Sequence, residues 1–148
     1  MNEYLDLIQI GRKNLYERTL ANTDKELNFI PPGFNNNIIW NMGHMIQVSE
    51  HMLYRNFPSS RPRHAFDLGL FAKGTRPERQ FTTDEILEVR ISLIETVALY
   101  SSRLESIAAA NSMDTLAQLD ITPEDYRTLA FHELIHQRAI DRLLGSIP

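Results

Sequence analysis

The stretch Phe131-His132-Glu133-Leu134-Ile135-His136 restricts what this chain can become more than any other. It lies inside an apolar pattern of helical period, so its two histidines sit at positions i and i+4. At about 100° per residue those positions fall on one face, one above the other. Two imidazoles placed that way can ligate a single divalent ion. A third ligand must then arrive from an element packed against that face, so the pattern asks for helix against helix.

The rest of the chain supplies such helices. A first is predicted over residues 3–20, with Tyr4, Ile8 and Leu15 on one stripe, Leu5 and Leu7 beside it, and Gly11 interrupting it. Residues 21–37 read as a linker, because Pro31-Pro32-Gly33 stops regular structure. Asn35-Asn36-Asn37 then offers side chains that cap a helix start. A second helix is predicted over 38–57. Ile38, Met42, Met45, Ser49 and Met52 form one stripe, and Ile39, Ile46 and Leu53 lie beside it. Trp40, His44, Val48 and His51 lie on another face. A helix with two such faces is buried on more than one side. Residues 58–82 hold three of the seven prolines and two of the six glycines and read as a long connection. Its Phe66, Leu68, Leu70 and Phe71 imply that it packs back over one end of the domain and helps shape the entrance to a site. Thr82-Thr83-Asp84-Glu85 is a capping box opening a third helix over 83–109, with Ile86, Val89, Leu93, Val97, Tyr100, Leu104 and Ile107 at helical spacing. After a short excursion at 111–121, Thr122-Pro123-Glu124-Asp125 opens a fourth over 123–144, with Gly145 just past its end. No repeat and no strand-like alternation interrupts this series. The expected fold class is all-α, a four-helix bundle with a long loop between helices two and three, in one domain over residues 1–148.

Composition narrows the function. A net charge of -4 and a pI near 5.7 argue against nucleic acid or an anionic membrane as the main partner. The N-terminus has neither the basic nor the apolar segment of a signal peptide, and no apolar run approaches a membrane span, so the expected location is cytoplasmic. There is no cysteine, so any metal ligand must be His, Asp, Glu or water.

On the last helix Leu129, His132, His136, Ile140 and Leu143 fall within about a quarter-turn of one another, so the histidines point with the leucines toward the interior. Two core histidines bonded to carbonyls or carboxylates would satisfy that pattern. A metal would satisfy it as well, and it supplies both partners at once. His44 is the best candidate for a third ligand. Gly43 beside it lacks side-chain bulk, which close approach of another helix would explain. A partly exposed histidine on a helix flank reads equally well there. His51 is two turns further on and about 10 Å along the axis, too far to share an ion with His44, and reads as solvated. His64 lies in the long connection and reads as a surface residue. Glu50 and Glu133 should face water or a polar partner. The same stretch spells H-E-x-x-H, the pattern of helical zinc proteases. The extended form of that pattern needs Gly and His where this chain has Ala139 and Arg142. Asp141 points away from the histidines, and no strand pattern is present. A protease is therefore not expected, nor is Glu133 as a general base.

One histidine in the second helix in a W-x-x-G-H context (Trp40, Gly43, His44), followed by H-x-x-x-H in the last (His132, His136), resembles the DinB-like superfamily of metal-binding four-helix bundles. The Asn36–His44 run and the Phe71-Ala72-Lys73-Gly74-Thr75-Arg76-Pro77 loop are similar to one branch of it. The resemblance covers nearly the whole chain. It implies a divalent ion, zinc or nickel, held by His44, His132 and His136. It also implies a thiol-dependent S-transferase that uses a low-molecular-weight thiol as co-substrate. The alternatives are a stress-associated binding bundle with a non-catalytic metal, or a metal-dependent hydrolase. The expected partner is a small-molecule substrate. A homodimer through exposed parts of helices one and three is compatible with the pattern.

Overall fold

The computed structural model describes residues 3–110 and 121–148. Among them are six α-helices, two short 3-10 helices and no strand: α1 (Glu3–Arg18), α2 (Asp24–Asn28), α3 (Ile38–Leu53), α4 (Thr83–Ala98), α5 (Tyr100–Ala110) and α6 (Pro123–Leu144). The starts follow from side chains that satisfy backbone N–H groups left without helical partners. Asn37 accepts from the Trp40 N–H at 2.8 Å. Thr82 and Glu85, and likewise Thr122 and Asp125, bond reciprocally as capping boxes.

The predicted elements need four corrections. Residues 21–37 are not all linker, because a third capping box, Thr23 with Glu26, nucleates α2 inside them. The second helix ends at Leu53, where Tyr54 caps it, several residues before Pro58. The predicted third helix is two. At Leu99 the backbone tightens into a turn whose N–H bonds both Glu95 O and Val97 O, and α5 begins after it. The first helix buries Leu5, Ile8, Arg12 and Leu15, and Leu7 faces solvent. The excursion predicted at 111–121 lies, apart from Ile121, outside the described residues.

Helices α1 and α3 each pack against both α4 and α6, so α1 and α3 stand diagonally in a four-helix bundle. Gly11 allows the close α1–α6 contact, since a Cβ there would overlap the Gln137 amide. The core has two apolar clusters. One gathers Leu15, the Ile38–Ile46 face of α3, Phe71, Phe81, Leu93 and Ile140. The other gathers Ile8, Leu53, Tyr54, Val97, Tyr100 and Leu129.

A polar layer lies between them. Arg12, 0% exposed, donates to Glu133 of α6 (Nε–Oε2 3.0 Å), to Leu93 O and Thr96 Oγ1 of α4, and to Met45 O and Ser49 Oγ of α3. One guanidinium therefore ties all four bundle helices, using its five donors in a fixed fork. No helix among the described residues is long and apolar enough to cross a membrane.

Candidate metal centre

Both faces predicted for the second helix are buried in their first half, which places Trp40 and His44 inside the bundle. His44 thereby faces α6, where His132 and His136 stack one turn apart. Ring centroids are 4.4 Å apart for His132–His136, 4.7 Å for His44–His136 and 5.2 Å for His44–His132. One ring nitrogen from each lies within 4.8 Å of the others, a grouping that could hold one metal ion, and no Asp or Glu among the described residues joins it. His44 is buried and the other two are half-buried.

Two of the rings have their protonation pattern set by a partner. His44 Nδ1 meets the carbonyl oxygen of Phe71 at 2.7 Å. A carbonyl only accepts, so Nδ1 carries the hydrogen and Nε2 keeps its lone pair. His136 Nδ1 meets Asn41 Oδ1 at 2.9 Å. The Asn41 amide is oriented by its own Nδ2, which donates to Asn37 O and Asn36 Oδ1. Its oxygen must then accept, and His136 Nε2 is likewise left with a free lone pair. His132 differs, because its Nδ1 is buried without a hydrogen-bond partner among the described residues. Such an atom costs about 1–3 kcal/mol. Trp40 completes the wall, stacked on His44 at 4.7 Å and anchored by Nε1–H to Thr75 Oγ1 at 3.1 Å.

Burial favours the neutral, ligating form of all three rings. Desolvation lowers the His44 pKa, only partly opposed by the Phe71 carbonyl. Desolvation, then the His44 and Arg12 charges, lower His132 to about 4. Desolvation, then His132 and His44, lower His136 to about 4. The donor set therefore fits a divalent ion of the imidazole-binding kind.

The connection between α3 and α4 packs back on the bundle as expected, burying Phe66 and Phe71, and it meets the histidine cluster through the Phe71 carbonyl. What approaches Gly43 is the ring of Phe71, from the second 3-10 helix (Leu68–Phe71), and not another helix. His51 is exposed and stays outside the cluster. The surface reading of His64 is corrected: its side chain is 6% exposed, and its Nε2 lies 2.8 Å from Glu50 Oε1. Glu133 meets the polar partner allowed for it, Arg12, at 1% exposure. Arg12 itself was missed. Its signal was a charge at a position that continues the Ile8 and Leu15 stripe, where only a paired cation is tolerated. Asn41 lies within the Asn36–His44 run, and its side-chain oxygen orients the His136 ring.

An all-helical bundle in which three imidazoles converge from two facing helices is the class that fold and site define. The chain belongs to the DinB superfamily, whose family model matches residues 7–140. No curated protein and no solved structure matches it.

Proposed function

We propose that this protein is a divalent-metal-dependent enzyme of DinB-like type, with His44, His132 and His136 holding zinc or nickel, and that it transfers a low-molecular-weight thiol to an electrophilic small molecule. The observation that carries this reading is the convergence of three neutral imidazoles, joined by no carboxylate among the described residues. A divalent ion on three neutral ligands keeps its full double charge, which acidifies a thiol or water beside it. The chain's own residues do the rest. Phe71 O and Asn41 present Nε2 of His44 and His136, Trp40 walls the site, and burial keeps protons off the ligands at neutral pH. The half-buried faces of His132 and His136 leave a way in for a small molecule. The absence of cysteine from the sequence is consistent with a reacting thiol supplied by a co-substrate.

The test is elemental analysis of untagged protein, joined to a screen that couples thiols to electrophiles. One ion per chain and metal-dependent conjugation are expected. Metal without conjugation, but with ester or amide hydrolysis, would favour the hydrolase. Protein that stays metal-free after incubation with zinc and nickel would remove the site.

A further inference from the structure

The geometry points to His64 as a positioning residue for the metal centre: clamped between Glu50 and Ser92, it holds the α3–α4 connection so that the Phe71 carbonyl fixes the His44 ring. This rests on the metal reading above. The clamp is built from two helices. His64 Nε2 meets Glu50 Oε1 of α3 at 2.8 Å, and its Nδ1 meets Ser92 Oγ of α4 at 3.2 Å. A carboxylate accepts, so Nε2–H donates to Glu50. In the neutral ring Nδ1 then accepts from the Ser92 hydroxyl. Both ring nitrogens are used, and the imidazole plane cannot turn.

That plane is passed on through aromatic rings. His64 stacks on Phe66 at 4.8 Å, and Phe66 meets Phe71 edge-on at 5.9 Å. Phe71 stacks in turn on Phe81 at 5.1 Å and fills the space over Gly43. Its carbonyl holds His44 Nδ1. The connection needs an anchor only, and an apolar side chain would serve that purpose at less cost. Instead the protein buries a histidine and a glutamate whose second oxygen, Oε2, finds no partner among the described residues. A costly polar clamp at the base of the segment that orients a metal ligand is what directional control requires. The Phe71 carbonyl is the group that bonds the ligand ring, and partners of that kind typically change metal affinity by about 10–100-fold.

The experiment uses the full chain, titrated with zinc against a chelator. Trp40, the one tryptophan in the sequence, is stacked on His44 and serves as the fluorescence reporter. The double variant His64→Phe/Glu50→Leu removes the clamp without leaving a buried charge. Phe66→Leu interrupts the ring relay and leaves the clamp intact. His64→Gln keeps the capacity to bond Glu50. The first two should bind zinc about 10-fold more weakly, still at one ion per chain, and His64→Gln should recover most of the affinity. If the double variant does not fold, Phe66→Leu and His64→Gln decide the question. Wild-type affinity in the folded double variant would overturn the inference, as would wild-type affinity in Phe66→Leu or a loss in His64→Gln as large as in Phe66→Leu. Wild-type protein that binds neither zinc nor nickel would overturn the metal reading, and this inference with it.

Discussion

The three imidazoles behave as a set because burial acts on all of them in the same direction. Free histidine titrates near 6.5, whereas His132 and His136 are lowered to about 4. Between those values the unfolded chain binds more protons than the folded one, so lowering the pH destabilises the folded state. The histidine contribution is fully present above about pH 6.5 and is lost as the pH falls toward 4. Urea melts of metal-free protein across that window should show this slope, and His132→Gln/His136→Gln should remove most of it. The same depression moves proton competition for the metal below the pH of about 6.5 that free imidazole would suggest. Metal content should survive a step from pH 7.5 to 6.5 and fall at lower pH, as equilibrium dialysis at each pH would read. At neutral pH, alanine at His44, His132 or His136 should strip the metal while helical circular dichroism persists. His51→Ala should leave metal content unchanged, its ring being exposed and outside the cluster.

At the scale of elements, α3 is the piece on which site and connection meet. Asn37 caps it, Asn41 orients His136, Gly43 admits Phe71 and His44 faces α6. Gly43→Ala should restore about 1 kcal/mol of helix propensity. It also forces a Cβ into the Phe71 ring, and overpacking of that kind costs about 1–3 kcal/mol. The second effect should win. We expect a lower melting temperature together with weaker metal binding, since the same residue's carbonyl holds His44. Asn41→Leu, close in volume, should reduce metal affinity by about 10–100-fold by releasing the His136 ring, measured by chelator competition. Much of this element was legible in the sequence: its start, its two buried faces and its histidine. Its end was not, because Pro58 marks where a helix can no longer continue and not where the caps and packing stop it.

Across the whole molecule, the Arg12–Glu133 layer ties the four bundle helices together. It lies between two apolar clusters and bonds α1 to every other bundle helix. Arg12→Met should leave a buried carboxylate without its partner and cost about 3–5 kcal/mol, read as a shifted denaturant midpoint. Arg12→Met/Glu133→Leu should recover a large part of that loss. If the single variant melted like wild type, the layer would have no role in holding the helices together.

Local rules were enough to place the starts of the four bundle helices, at residues 3, 38, 83 and 123. Period, caps and prolines act within a turn or two of chain, so they can be read without knowing what packs where, and the i, i+4 histidine pair is legible for the same reason. The family resemblance rested on the order and spacing of several such motifs along nearly the whole chain. Everything that depended on partners far apart in the chain was decided by tertiary structure. Arg12 meets Glu133 across the bundle, Phe71 leans on Gly43, and His64 turns inward to Glu50 and Ser92. Each of these polar groups costs free energy to bury alone and becomes tolerable only beside its partner. No window of sequence holds both members of such a pair, so the partners of Arg12, Glu133 and His64 could be seen only once the helices were packed.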